Sequence, residues 1–213
     1  MVEPYLRRSP LAHKSLTARA MAATGDAGVR LGESPYRCQI GLRGNPADGA
    51  FTGAVLAALG CELPATANRV ATGAGLIALW LGPDEWLIVG PPGREADLVP
   101  ELRRALAGQH AAVVDLSEAR TVIAVSGRNA RELLQKGTPI DLHPRAFEPG
   151  HCAQTALSKA TIILHQIDAS PRYDVYVANS FADYLWNYLE RAAEEYGVAV
   201  MDEGEARGTP GYG

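Results

Sequence analysis

The chain has 213 residues, 47% of them apolar and 21% charged, and its 24 acidic and 20 basic residues give a net charge of −4. A chain of this length can bury a core that needs no disulfide or metal, and without a basic stripe it lacks the electrostatic footprint of a nucleic-acid-binding protein. The longest apolar runs, such as residues 76–81, are far too short to span a bilayer. The composition therefore predicts a soluble globular protein that binds neither nucleic acid nor membrane.

The cysteines indicate a cellular compartment. Cys38, Cys61 and Cys152 are odd in number, widely spaced and include no Cys-x-x-Cys pair. This spacing argues against a disulfide framework and against a zinc knuckle. We therefore predict a protein of the reducing cytoplasm.

The two ends of the chain are predicted to lie outside its core. Residues 1–35 mix proline, glycine and scattered charge, which predicts an extended N-terminal arm with one short helix near residues 15–23. Such an arm buries little apolar surface by itself, so we expect contact with a partner to order it. Its two arginines, Arg7 and Arg8, precede polar residues and not an apolar core, so it is not a signal peptide. The glycine-rich end predicts a flexible tail at residues 201–213.

Between these ends, two units repeat one order of elements: strand, helix, two strands, helix. The first unit, residues 36–110, is predicted to have strands at 37–42, 76–81 and 86–89 and helices at 46–59 and 95–106. The second unit, residues 111–200, is predicted to have strands at 121–125, 161–166 and 173–177 and helices at 130–136 and 181–196. Corresponding elements are separated by nearly the same number of residues. The sequence thus predicts an α+β fold made of duplicated split βαβ, or ferredoxin-like, units.

The last predicted helix has the clearest pattern in the chain. Ser180 is placed to cap it, with Asp183 at the third position as in a capping box. Its apolar residues recur at the spacing of one helical face: Phe181, Tyr184, Leu185, Tyr188, Leu189, Ala192 and Tyr196. We interpret this aromatic stripe as a surface that faces the core, and not as a platform for a flavin or a nucleic acid.

One segment matches a cofactor motif. Residues 72–78 fit the Gly-x-Gly-x-x-Ala dinucleotide pattern, which works by opening a helix whose N-terminus holds a pyrophosphate. Here the glycines lead into residues 76–81, which favour a strand and end in a Gly-Pro turn. We therefore do not assign a nucleotide site to this segment.

The remaining polar groups do not form a recognisable active site. His143, His151 and Cys152 lie close in sequence but lack a zinc spacing, and His165 lies in an apolar strand and is expected to be a satisfied core histidine. Residues 115–120 (Asp-Leu-Ser-Glu-Ala-Arg) indicate a turn with an ion pair, and a ligand-facing loop is the alternative. No motif combines a nucleophile, a base and a group that orients them.

Several segments together resemble one family. They are Trp-Leu-Gly-Pro-Asp-Glu-Trp-Leu at 80–87, the stretch 114–121, the long run 136–155 with its Pro-Ile-Asp-Leu-His-Pro-Arg sequence, the stretch 173–186, and Ser-Pro-Leu-Ala-His at 9–13. Over roughly residues 34–196 the chain resembles the gamma subunits of heterotetrameric sarcosine oxidases. The resemblance implies a fold like that of the folate-binding aminomethyltransferase of glycine cleavage.

The resemblance also implies a division of labour. In such complexes the beta subunit oxidises sarcosine at a flavin, and the alpha subunit carries NAD, shares a flavin and holds the tetrahydrofolate site. A small delta subunit binds zinc. The complex converts sarcosine, oxygen and tetrahydrofolate to glycine, hydrogen peroxide and methylenetetrahydrofolate with FAD, FMN, NAD and zinc on the other subunits. The resemblance therefore implies a non-catalytic assembly subunit that binds no cofactor alone and whose partners are the alpha, beta and delta subunits.

No catalytic, cofactor-binding or metal-binding residue is carried over to this chain. The candidate partner contacts lie in the arm and in the proline-rich connection 139–154, and they are Pro10, Leu11, His13, His143, Arg145 and Phe147. The connection has no helical or strand period, so we expect a shaped surface loop. Two alternatives stay open: an equivalent subunit of a complex that oxidises another secondary amine (N-methylglutamate, dimethylglycine or proline), and a free-standing folate-binding protein.

Overall fold

The structure, a computed structural model, describes residues 7–22 and 26–208. It contains two β-sheets that correspond to the two predicted units, except that the strand at residues 112–115, which the sequence placed in the second unit, joins the sheet of the first. The first unit contains β2 (Cys38–Arg43), α2 (Gly49–Leu59), β3 (Val70–Gly73), β4 (Leu76–Gly82), β5 (Glu85–Gly90), α3 (Glu95–Ala105) and β6 (Ala112–Asp115). Its strands form a sheet of order β3-β4-β5-β2-β6 in which all neighbours are antiparallel.

The second unit repeats this plan. It contains β7 (Arg120–Ser126), α4 (Ala130–Gln135), β8 (Cys152–Leu157), β9 (Ala160–Asp168), β10 (Arg172–Ala178), α5 (Asn179–Ala193) and β11 (Val198–Val200). Its sheet has the order β11-β1-β7-β10-β9-β8, with β1 (Val29–Ser34) inserted between β7 and β11. In the first sheet β2 lies between β5 and β6, and in the second β7 lies between β10 and β1, with β11 beyond β1. In each unit the first strand therefore lies inside the sheet, between strands that follow later in the unit or are inserted beside it, as in a split βαβ arrangement. The predicted duplicated α+β fold is confirmed.

Local sequence explains the helix and turn boundaries of the first unit. Asp48 caps α2 by accepting a hydrogen bond from the backbone N–H of Ala50 (2.9 Å). Gly60 ends the same helix in a left-handed conformation (φ 61°) that a side chain would disfavour. Between β3 and β4, Ala74 and Gly75 both have positive φ, which is the geometry of a tight hairpin turn.

The two sheets pack face to face with the helices outside. On the outer faces, α2 and α3 cover the first sheet, and α4 and α5 cover the second. Between the inner faces lies a third buried cluster, formed by Ile77, Leu79, Leu87 and Val89 from the first sheet and Val122, Cys152, Ile163 and Tyr176 from the second. The strands are therefore buried on both sides, which explains their nearly continuous apolar runs.

The structure differs from the prediction for the N-terminal arm. Residues 29–34, assigned to the arm from their sequence, form β1, which pairs with β7 and with β11. The predicted short helix is present as α1 (Leu16–Ala22). Three residues of the arm, His13, Lys14 and Arg19, form ion pairs or hydrogen bonds with the chain's own α5. Residues 1–6 and 23–25 lie outside the described residues.

Polar contacts and one apolar anchor hold this arm. His13 Nε2 lies 2.8 Å from Asp183 Oδ1, and Lys14 Nζ donates to Asn187 Oδ1 at 2.7 Å. Leu11 is 0% exposed and belongs to the core cluster beneath α5. The arm was predicted to bury little because its few apolar residues show no period, and one leucine at the right place is enough to anchor it.

The C-terminal end also differs from its prediction. Within the predicted tail 201–213, α6 (Glu203–Arg207) is ordered by a capping box in which Asp202 and Glu205 satisfy each other's backbone N–H groups. Ala206 packs on Gly32 of β1, where an added Cβ would lie 2.8 Å from the Ala206 methyl group. Residues 209–213 lie outside the described residues.

The last long helix, α5, buries a face that differs from the one predicted from the sequence. Its buried residues are Ala182, Leu185, Trp186, Leu189 and Ala193. Phe181 and Tyr184 are 45% and 37% exposed and stack edge to face with ring centroids 6.5 Å apart. Ser180 does not cap the helix, which already begins at Asn179, and Asp183 instead binds the arm. The prediction was wrong for Phe181 and Tyr184 because Trp186, a residue outside the predicted stripe, is the aromatic residue that α5 buries in the core.

Candidate functional site

The candidate contacts in the arm have different environments. Leu11 is fully buried in its own chain, so in this structure it cannot meet a partner. His13 is exposed, but its ring is bonded to Asp183. Pro10 is half-buried beside them. The arm contacts thus connect α5 with the N-terminal segment of the same chain.

The loop 139–154 combines buried anchors with exposed polar groups. Leu142 is fully buried, and Phe147 is only 5% exposed and stacks edge to face on His151 (5.6 Å between centroids). Phe147 was a candidate partner contact, but its side chain fills the core of its own unit. His143 and Arg145 are exposed, and the Asp141 carboxylate accepts the backbone N–H of His143 at 2.9 Å. The loop therefore presents His143 and Arg145 from a fixed turn.

The dinucleotide-like segment is a hairpin. Gly73 pairs with Leu76 across the turn between β3 and β4, and a strand follows the glycines. A pyrophosphate would need backbone N–H groups at the start of a helix, which this segment does not offer. The prediction that these glycines lead into a strand is confirmed.

The cysteine thiols are free and buried. Burial raises the pKa of the Cys152 thiol to about 12, and burial likewise raises the pKa of Cys38 to about 12. Cys152 lies 3.3 Å from the carbonyl oxygen of Trp80, to which its thiol donates. A thiol that stays protonated at neutral pH is a poor nucleophile and a poor metal ligand. Across residues 7–22 and 26–208, no group of three or more His, Cys, Asp or Glu side chains could hold a metal ion.

A row of polar residues crosses the inner face of the second sheet. Cys152 pairs with His165 across β8 and β9, and His165 pairs with Asp174 across β9 and β10. Burial lowers the pKa of His165 to about 3, so the ring is neutral, and burial raises the pKa of the Asp174 carboxyl. His165 Nδ1 and Asp174 Oδ1 have no hydrogen-bond partner in the described part of the chain. His165 is buried as predicted, and its Nδ1 has no hydrogen-bond partner among the described residues.

A cavity of about 460 Å³ lies beside this row, between the two sheets. Asp174 lines it together with Arg37, which immediately precedes β2. Its apolar walls are Ile77, Ile167 and two consecutive prolines, Pro91 and Pro92. Sequence reasoning did not identify Arg37 and Asp174 as residues of one site. One signal was available, because Asp174 is the one charged residue in the otherwise apolar run from Tyr173 to Ala178.

Comparison with known proteins gives the family. The sarcosine oxidase gamma subunit family model matches residues 43–195. The chain is 42% identical to the sarcosine oxidase subunit gamma of an Arthrobacter species over 193 residues, 90% of this chain and 92% of that protein. The chain belongs to the sarcosine oxidase gamma subunit family.

Solved structures agree with this assignment. The chain matches a chain of the heterotetrameric sarcosine oxidase of Corynebacterium sp. U-96, solved with pyrrole 2-carboxylate, with a TM-score of 0.80 and 34% identity over 90% of this chain and 96% of that one. It also matches the glycine cleavage aminomethyltransferase T of Bartonella henselae with a TM-score of 0.59 and 18% identity, over 92% of this chain and 52% of that one. The second likeness shows the fold alone, and this fold is the one that the family resemblance implied.

No helix in the described part of this gamma-family chain is long and apolar enough to cross a membrane.

Proposed function

We propose that this gamma-family chain is a non-catalytic assembly subunit of a heterotetrameric sarcosine oxidase. The observation that carries the proposal is the full-length match to a chain of such a heterotetramer, which covers 90% of this chain and 96% of that one. The reaction of the complex is the conversion of sarcosine, oxygen and tetrahydrofolate to glycine, hydrogen peroxide and methylenetetrahydrofolate.

The protonation states of the inner-face row support a non-catalytic role. A general base must accept a proton near neutral pH, and burial holds His165 neutral down to a pKa of about 3. A nucleophile needs lowered pKa or an adjacent base, and burial raises the pKa of the Cys152 thiol to about 12. Cys152, His165 and Asp174 therefore lie side by side in the order of a Cys-His-Asp catalytic triad, but the thiol stays protonated and the histidine is too weak a base for catalysis.

The proposal assigns the cofactors to the partner subunits. FAD, FMN, NAD, tetrahydrofolate and zinc are held by the alpha, beta and delta chains, and this chain contributes surface. The turn that carries His143 and Arg145 is proposed as a contact with the large flavin-bearing subunit. Its buried anchors fix the turn before binding, which lowers the ordering cost of association. Three free, buried cysteines support the predicted cytoplasmic location of such a complex.

The isolated chain tests the non-catalytic assignment. Purified alone, it is expected to be colourless and to release no hydrogen peroxide from sarcosine, whereas the complex containing it shows flavin absorbance and activity. The measurement is an absorbance spectrum after dialysis together with a peroxide assay. A flavin band that survives dialysis of the single chain, or peroxide formed by that chain alone, would overturn the assignment.

A further inference from the structure

The cavity between the two sheets contains two opposite charges that do not pair with each other. Asp174 lies on β10 and is 5% exposed, and its Oδ1 has no hydrogen-bond partner among the described residues. Arg37 lines the same cavity, its Nε is buried, and within residues 7–22 and 26–208 its guanidinium makes neither a hydrogen bond nor an ion pair. The buried Asp174 carboxyl and the half-buried Arg37 thus line one space without a direct hydrogen bond or ion pair between them.

The other charged groups of the cavity are already engaged. Arg172 Nη2 donates to the carbonyl oxygen of Ala206 at 2.7 Å and so holds α6. Arg207 forms an ion pair with Glu203 on the same helix. Asp168 accepts the backbone N–H of Ser170 at 2.9 Å. The groups left for a ligand are therefore Arg37 and Asp174.

Leaving these two charges unpaired is costly. A buried carboxylate without donors loses hydration that nothing replaces. If both groups served stability alone, a direct ion pair would be the cheaper arrangement. Burial raises the pKa of the Asp174 carboxyl, and the nearby charges of Arg37 and Arg172 lower it by less than burial raises it. Space kept between two opposite charges is instead typical of a site for a ligand with the complementary charges.

We propose that this cavity binds a small amino acid as its zwitterion. The aminium group of the ligand donates to Asp174, and its carboxylate receives the planar fork of Arg37. The N-substituent or side chain of the ligand lies against Ile77, Ile167 and the two prolines. The cavity volume of about 460 Å³ lies within the range of small-molecule sites, roughly 300–1,000 Å³, and leaves room for water beside the ligand.

The charge pattern selects this class over simpler ligands. A simple amine would satisfy Asp174 but leave Arg37 unpaired, and a simple carboxylate would do the reverse. A polyphosphate would bring several negative charges beside Asp174 and Asp168, both of which line the cavity. Only a ligand with both signs at a short separation satisfies the two groups together.

Calorimetric titration of the purified full chain tests the proposal. The probes are sarcosine and glycine as zwitterions, with acetate and dimethylamine as ligands of one sign. We expect both zwitterions to bind, and each probe of one sign to bind at least about tenfold more weakly, since each loses one of two charge-assisted contacts. No heat from either amino acid with a folded chain, or acetate binding as tightly as glycine, overturns the proposal.

Variants locate the binding in the cavity. Asp174→Asn and Arg37→Gln are each expected to weaken sarcosine binding by about tenfold or more, because each removes one charge. The matched controls are Asp97→Asn and Arg191→Gln, which change exposed residues on α3 and α5 and leave binding unchanged. Arg37→Lys keeps the charge without the fork, and we expect intermediate affinity.

The stability of the variants separates binding from folding. Asp174→Asn removes a buried charge that has no partner, so its melting temperature is expected to equal or exceed that of the parent chain. Loss of binding with the melting temperature kept supports the site. Sarcosine binding that persists in both Asp174→Asn and Arg37→Gln overturns it, and so does binding of tetrahydrofolate without binding of either amino acid. Association with the oxidase subunits is a separate measurement, so failure of this proposal is distinguishable from failure of the proposed function.

Discussion

Single residues on the inner face of the second sheet determine how the chain responds to pH. His165 is neutral because burial lowers its pKa to about 3, whereas a histidine in an unfolded chain titrates near about 6.5. Below that pH the unfolded chain binds a proton at His165, whereas the folded chain does not. The stabilising contribution of neutral His165 is therefore complete above pH 6.5 and is lost as the pH falls towards 3.

His165→Gln tests this response. Between pH 6.5 and 4, the free energy of unfolding of the variant is expected to fall less steeply than that of the parent chain, by at most about 1.4 kcal/mol per pH unit, the slope of one proton. Urea denaturation at a series of pH values measures it. His110→Gln, which changes an exposed histidine, is the control. Asp174 faces His165, and burial raises its pKa, so Asp174→Asn is measured in parallel to separate its opposite contribution. Identical slopes for parent and His165→Gln would show that His165 is solvated in solution.

Arg145 is the residue through which we test the exposed turn. Arg145→Ala removes an exposed side chain, so the melting temperature of the lone chain should change little. Its association with the flavin-bearing subunit should weaken by about 1–2 kcal/mol, or roughly 5- to 30-fold, if the arginine anchors the interface. Phe147→Ala is the contrast, because loss of a buried ring should destabilise the lone chain by about 3–5 kcal/mol. Unchanged association of Arg145→Ala, measured by quantitative pull-down, would place the interface elsewhere.

Among the secondary-structure elements, the sequence predicts the strands that consist of long apolar runs. The strands β4, β5, β9 and β10 were predicted because they are buried on both faces. The short edge strands β3, β6 and β11 were missed, because three or four partly exposed residues carry no period. The edge strand β8 was missed as well, and its residues 152–154 correct the end of the predicted loop 139–154. The insertion of β1 between β7 and β11 could not be predicted either, since it depends on pairing with strands about 90 and 170 positions away.

The docking of the arm on α5 is an element-scale prediction. Leu11→Ala removes the apolar anchor, whereas His13→Ala removes an exposed ion pair worth about 0–1 kcal/mol. We expect trypsin to cleave after Lys14 and Arg19 several times faster in Leu11→Ala than in the parent chain, and only slightly faster in His13→Ala. Mass spectrometry of a digestion time course gives the rates. Equal acceleration in both variants would mean that the polar contacts, and not the leucine, hold the arm.

At the scale of the whole molecule, two repeats close on each other through their sheets. This packing explains why the candidate site was only partly predictable. The exposed turn with Arg145 could be predicted because the prolines that shape it lie close to Arg145 in the sequence. Arg37 and Asp174 are far apart in the sequence, and they line one cavity only because the two sheets face each other. The same packing leaves the helices, the arm and the loop 139–154 as the outer surface available to other subunits.

Co-expression with partner subunits measures the central claim most directly. A tagged copy of this chain is produced together with the alpha, beta and delta subunits of a sarcosine oxidase from the same genome, and the tag is used for purification. We predict one complex that contains all four chains in equal amounts, shows flavin absorbance and oxidises sarcosine. The contradictory result is a tagged chain that elutes alone while the other three subunits assemble into an active enzyme without it.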